Sequence, residues 1–200
     1  MYFNHPFGSW GEMGNGQSAS STWNGAAPTP SIYGALPYPN DSSAFQTFYF
    51  TNFSPDILNC TVIGPQAQVY YRIVTDNQMP GYTVVKNSEG KNVSLIEWQS
   101  HPMIEVRGLL TKQYVRAWLA LTADKSARTM SVRGMQYAWA PRDKSISLFA
   151  GGPRNPTLLA RITRTNGAIA LDMTPDAIQL GLLDSVVAAS LLLQCGRNID

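Results

Sequence analysis

Cysteine and histidine are scarce in this chain. Its 200 residues hold two of each: Cys60 and Cys195, His5 and His101. Two thiols build no disulfide framework, and a zinc site asks for about four ligands at short spacing. Buried free thiols are the expected state. No metal or other cofactor is implied. With His5 near the start and His101 beside Pro102, a nucleophile–base–acid constellation has almost no base to draw on. Phosphate-cradling loops are missing as well. "GNGQSAS" and "GGPRNP" are glycine-rich, but neither follows a strand and opens a helix. The opening "MYFNHPFGSWGEMG" has no basic region and no apolar run, so no secretory leader is expected. The N-x-S/T triplets at Asn40, Asn52, Asn59 and Asn92 are then coincidental.

Charge is sparse at 14% of residues, and the net of +2 points to no partner. Its distribution says more. Residues 101–164 hold eleven Lys/Arg against three Asp/Glu, while the rest of the chain holds four against ten. One part of the fold is therefore expected to carry a positive field suited to an anionic partner.

Residues 1–43 are dominated by Gly, Ser, Pro and Asn, with no helical or strand period. Such a segment buries too little apolar surface to offset its ordering entropy and reads as a disordered tail. Trp10, Trp23, Tyr33 and Tyr38 are its possible recognition points.

From residue 44 onward the texture changes to short β-rich runs. They include "FQTFYFTNF", "CTVIG", "VYYRIVT", "MIEVRG", "QYVRAWL", "RTMSVRG", "QYAWA", "SISLFAGG", "TLLARITRT" and "AIALDM". "YTVVKNSEGKNVSLIEW" reads as a hairpin turning at Asn87-Ser88-Glu89-Gly90. Roughly a dozen strands at about ten-residue spacing indicate a mostly-β domain, a sandwich or a barrel. Period-two alternation puts Ile104 and Val106, Val115, Ala117 and Leu119, Met130 and Val132, and Leu158, Ala160 and Ile162 on dry faces. Arg107, Arg116, Arg133 and Arg161 then fall on the wet face.

The run "LDMTPDAIQLGLLDSVVAASLLLQCGRNID" reads as a helix over about residues 175–195. Thr174 is its cap, Pro175 its first residue, Asp176 favours the N-terminus and Gly196 closes it. Its apolar part, Leu180–Cys195, spans about 24 Å, short of the roughly 30 Å hydrocarbon layer. It also contains Asp184, Ser185, Ser190 and Gln194. No transmembrane segment is expected. A soluble helix that is apolar on nearly every side is a buried one. In an all-β domain the simplest way to surround it is a closed antiparallel barrel of about twelve strands.

This pattern resembles the tubby C-terminal-like superfamily, which includes tubby proteins, phospholipid scramblases and LURP-one-related proteins. More specifically it resembles a group of uncharacterised fungal proteins within that superfamily. The resemblance covers about residues 45–200 and rests on "FSPDILNCTVIGP", "YTVVKNSEGKNVSLIEWQSHP", "KQYVRAWL", "RTMSVRGMQYAWAP" and "LLLQCGRNID". It implies the barrel fold, and it hints at phosphoinositide-type ligands on a basic surface. A scramblase-like calcium segment is not matched, because the chain has no D-x-D-x-D-G run.

The expected function is therefore a non-enzymatic binding module for an anionic ligand such as a phospholipid head group. Arg107, Arg116, Arg133 and Arg161 are its expected contacts. The alternative is a structural or protein-interaction domain recruited through the aromatic tail. An enzyme using His101 comes third, and Glu97 and Glu105 are expected to face solvent. Nucleic-acid stacking on Tyr114, Trp118 and Trp139 is weighed against their bracing neighbouring strands, and the bracing role is preferred. The expected location is cytoplasmic, with peripheral-membrane or nuclear placement as variants.

Overall fold

A computed structural model describes residues 45–76, 78–151 and 155–200. The expected tail over residues 1–43 lies outside the described residues, and Trp10, Trp23, Tyr33 and Tyr38 with it.

Thirteen strands, three α-helices and a short 3-10 turn at Pro65–Ala67 are formed by the described residues. The first seven strands are β1 (Gln46–Thr51), β2 (Cys60–Ile63), β3 (Val69–Thr75), β4 (Tyr82–Asn87), β5 (Asn92–Glu97), β6 (Met103–Val106) and β7 (Leu110–Tyr114). A one-turn helix α1 (Val115–Trp118) leads into β8 (Leu119–Leu121). Then come β9 (Arg128–Val132), β10 (Met135–Arg142), β11 (Ser145–Ala150), β12 (Thr157–Thr165) and β13 (Ala168–Met173). Helices α2 (Pro175–Gln179) and α3 (Leu183–Gln194) complete the order.

The strands form one antiparallel sheet in the order β7-β6-β5-β4-β3-β2-β1-β13-β12-β11-β10-β9-β8. Every neighbour is a chain neighbour except β1 with β13, where Phe48 stands opposite Leu171. The expected barrel of about twelve strands is therefore corrected. The sheet has thirteen strands, and its ladder does not close, because β7 pairs with β6 and β8 with β9. The reason lies in "QYVRAWL". Its middle is not a strand but α1, in which Val115 and Trp118 are buried while Arg116 and Ala117 are exposed. That spacing of three is a helical one. The chain crosses from one sheet edge to the other through this turn and makes no hairpin there. The edges are short, and β7 carries Lys112, both features that discourage edge pairing.

The other alternations hold with one exception. Ile104, Val106, Met130 and Val132 are buried, and Glu105 and Arg107 are exposed. On β12, however, a bulge shifts the register between Leu148 and Phe149. Leu148 stands opposite Ala160 and Phe149 opposite Leu158, so Leu159 is the extra residue. Leu159 and Ala160 are both buried, and Leu158 moves off the dry face. The hairpin at residues 87–90 forms as expected. Asn87 Oδ1 accepts from the amides of Glu89 (3.1 Å) and Lys91 (2.9 Å), and Gly90 takes the positive φ of 78° that the turn requires.

The expected single buried helix over residues 175–195 is two helices, and only the second is buried: Pro175, Asp176, Gln179 and Leu180 are exposed. Thr174 Oγ1 accepts from the Ala177 amide at 3.2 Å, the expected cap. Helix α2 then stops, because Gly181 adopts φ 67°. The Gly181 amide donates to Ile178 O (2.9 Å) and the Leu182 amide to Ala177 O (3.1 Å), a Schellman closure. Helix α3 is about 18 Å long. Every residue from Ser185 to Gln194 is buried. Burial on all sides by a single sheet means that the sheet wraps around the helix. Each fully buried Leu or Val there contributes about 1.5–3 kcal/mol. The helix's hydroxyls bond to its own backbone: Ser185 Oγ to Leu182 O (2.8 Å) and Ser190 Oγ to Val186 O (2.7 Å). At its start, Asp184 Oδ1 accepts from Tyr71 Oη on β3 at 2.5 Å.

Candidate functional site on the outer face

The positive segment 101–164 becomes the strands and turns on both sides of α1, from β6 to β12. Strand alternation turns its apolar residues toward α3 and leaves most of its cations outside. The four predicted arginines are all exposed, but they do not form one cluster.

Arg107 sits in the turn between β6 and β7, and Arg116 lies on α1, beyond the other end of β7. The Arg116 guanidinium lies over the Tyr114 ring, 5.4 Å from its centroid. The His101 ring packs edge-on against the same tyrosine at 6.3 Å. Tyr114 is 45% exposed, so this aromatic and cationic group faces solvent. Arg133 occupies the β9–β10 turn, and its Nη1 donates to Leu180 O at the end of α2, at 3.3 Å. That is a cation on a helix C-terminal carbonyl.

Arg161 differs from the other three. It stands directly opposite Asp172 across the β12–β13 ladder. Its Nε and Nη2 donate to Asp172 Oδ2 at 3.2 and 2.9 Å, and its guanidinium also lies over Phe45. Thr47 Oγ1 donates to the other carboxylate oxygen of Asp172 at 2.8 Å. The charge of Arg161 is thus offset within the fold. Among the described residues no ion pair involves Arg107, Arg116 or Arg133.

Sequence reasoning passed over Lys125, Arg142 and Lys144, which are exposed in the β8–β9 turn, at the end of β10 and in the β10–β11 turn. The two turns share one end of the sheet, because β9 and β10 run antiparallel between them. The signal was available, since each lies beside a turn-forming Asp, Asp124 or Asp143. Those aspartates also offset part of the charge. Asp124 is held down to about 2 by the hydroxyls of Thr122 and Ser126 and by the Ser126 amide.

One expectation about this face is corrected. Glu97 does not face solvent. It is 8% exposed and covered by Lys112, whose Nζ donates to Oε1 at 2.5 Å. Trp118 and Trp139 are buried, so of the three aromatics considered for base stacking only Tyr114 is open. Trp118 braces β9 by donating from Nε1 to Ser131 O at 3.2 Å. Cys60 is buried with Sγ donating to Ile57 O, and burial, then nearby Asp56, pushes its thiol up to about 12. A thiol held in that state is a poor nucleophile at neutral pH. No group of three or more His, Cys, Asp or Glu side chains among the described residues is arranged to hold a metal ion. None of the described helices is long and apolar enough to cross a membrane.

A family model matches residues 55–198. The chain belongs to DUF6593, a family of unknown function. The matched span of this DUF6593 chain runs from the β1–β2 loop to the residues after α3. An X-ray structure of a protein from Arabidopsis thaliana is similar to the chain. It has 9% sequence identity and a TM-score of 0.43, covering 72% of this chain and 89% of that one. No curated protein matches the chain.

Proposed function

We propose that this chain is a non-enzymatic, tubby-like binding module that engages an anionic surface, with a phospholipid head group as the leading ligand class. The supporting observation is that Arg107, Arg116 and Arg133 are exposed and, among the described residues, in no ion pair, in a segment with eleven cations and three carboxylates. Three exposed guanidiniums on two separate turns and on α1 suit a broad anionic surface better than one deep phosphate pocket. Each basic side chain near such a surface contributes about 1 kcal/mol. Tyr114, held between Arg116 and His101, adds an amphipathic ring of the kind that sits at head-group level.

Co-sedimentation with vesicles of phosphatidylcholine, with and without phosphatidylserine or a phosphoinositide, tests the reading. Binding is expected to need the anionic lipid and to weaken as salt rises. Neutralising Arg107, Arg116 and Arg133 together is expected to weaken partitioning on the order of a hundredfold. Binding that ignores salt, or that survives the triple change, defeats the proposal.

A further inference from the structure

Strands β3 to β6 are paired on both sides, so their outer face offers a partner side chains and no open backbone edge. Alternation turns Arg72 and Val74, Val84 and Lys86, Leu95 and Arg107 outward, because Ile73, Val85, Ile96 and Val106 beside them are buried. The ladders set these residues in two rows that run across the strands. In the first, Arg72 stands opposite Lys86, and the Arg107 amide donates to Val93 O at 2.9 Å, which continues the row past a bulge in β5. In the second, Val74 stands opposite Val84, Val84 opposite Leu95 and Leu95 opposite Glu105. Two residues along each strand separate the rows, about 7 Å.

The cation row is unbalanced. Like charges directly opposite each other destabilise a ladder. Arg72 nevertheless faces Lys86, and among the described residues neither of them, nor Arg107, is in an ion pair. The aliphatic row is open as well: Val74 is 41% exposed, and Val84 and Leu95 are half-buried. Where both rows begin, Arg72 and Val74 line a groove of about 360 Å³ together with Asn52, Asn59 and Thr61, between β3 and the β1–β2 loop. Among the described residues no carboxylate lines that groove.

We infer that this face docks an amphipathic helix of a partner protein, laid across β3 to β6. Its apolar stripe rests on Val74, Val84 and Leu95, and an acidic flank meets Arg72, Lys86 and Arg107. The spacings agree: neighbouring strands lie about 4.8 Å apart, and helix side chains three or four residues apart lie about 5–6 Å apart. Charge complementarity selects the acidic flank, and the lack of an open strand edge excludes strand addition. A flat anionic bilayer suits the face less well. The groove makes one end concave, and Glu105, exposed at the other end of the aliphatic row, repels anionic lipid. Arg107 also belongs to the vesicle-binding reading, so the test leaves it unchanged and the two readings fail separately.

The test follows fluorescence anisotropy of labelled synthetic peptides of about 18 residues, about 27 Å long as helices, titrated with the full chain. One peptide carries a leucine stripe flanked by glutamates, a second has the same composition in scrambled order, and a third has lysines in place of the glutamates. The glutamate peptide is expected to bind about tenfold or more tighter than the other two, and more weakly as salt rises. Arg72→Glu combined with Lys86→Glu is expected to weaken it by about tenfold or more and to let the lysine peptide bind instead, which also shows that the variant folds. Val74→Asn, a neutral change at an exposed position, is expected to weaken the glutamate peptide by about threefold or more. Equal binding of the scrambled peptide overturns the inference, as does an unchanged affinity after either substitution. If the double reversal abolishes binding to phosphatidylserine vesicles and leaves the glutamate peptide unaffected, the row serves lipid and the inference falls. Should the double variant fail to fold, Arg72→Glu alone replaces it, with a several-fold loss expected and an unchanged affinity again overturning the inference.

Discussion

Arg128 and Asp200 lie 72 positions apart in sequence and meet in a fork-to-fork ion pair, Nη1 to Oδ1 at 2.8 Å and Nη2 to Oδ2 at 2.7 Å. The arginine side chain is nearly fully buried, whereas the aspartate is about half exposed. Arg128 Nη1 also donates to Leu119 O at 2.8 Å, so the pair ties the segment after α3 to β8 and β9. Removing one partner of a buried pair leaves a charge without its counterion. Asp200→Ala is expected to lower stability by about 1–3 kcal/mol, the lower end reflecting Asp200's exposure. A drop in the urea midpoint with an unchanged slope is the expected readout; an unaltered midpoint refutes the tie.

Gly181 closes α2 in a left-handed conformation, and a Cβ there would lie 3.0 Å from Arg133 Nη1. Gly181→Ala is expected to cost about 1–2 kcal/mol. It should also displace the Arg133 guanidinium from Leu180 O. A melting temperature lowered by a few degrees, with a shifted Arg133 side-chain resonance, checks both parts.

Alkaline pH is expected to loosen the fold. The Cys60 thiol is raised from 9.0 to about 12, first by burial and then by Asp56. Tyr71 is raised too, by burial and by its hydrogen bond to Asp184. A raised pKa means that the folded state holds its proton longer than the unfolded chain. The contribution is therefore complete below pH 9 and falls away between about 9 and 12. Urea titrations at a series of pH values should show stability falling in that window. Cys60→Ala should make the decline shallower by up to about 1 kcal/mol per pH unit; an identical slope counts against the assignment.

Arg161 provides an internal control for the outer face. Its charge is offset by Asp172, so Arg161→Gln is expected to leave vesicle binding within about twofold of the parent. It should cost at most about 1 kcal/mol of stability, because the arginine is substantially exposed. A large loss of vesicle binding from this single change shows that Asp172 does not offset it.

The sequence made local features legible and distant ones obscure. Thr174-Pro175-Asp176 marks a helix start because cap, fixed φ and charge act within one turn. The dry faces of β6 and β9 follow from alternation alone. Gly181 was overlooked because Gly196 offers the same closing chemistry, and both take positive φ. Val115–Trp118 is too short for helical and strand periods to be told apart. The bulge at Leu159 depends on its partner strand. Arg161 reads as a free surface cation until β13 places Asp172 opposite it, and Glu97 reads as exposed until β7 brings Lys112 over it. Arg72, Lys86 and Arg107 read as scattered until the ladders of β3 to β6 set them in one row.

Assembly of this sheet hinges on one distant event. Each ladder but one joins strands that follow each other closely along the chain, so those pairings need only short loops to close. The meeting of β1 with β13 alone requires the full intervening length to fold back on itself, and loop-closure entropy opposes it. Substitutions at Phe48 or Leu171, which face each other there, should therefore slow folding, whereas equal losses of stability within the hairpin at Asn87 should chiefly hasten unfolding.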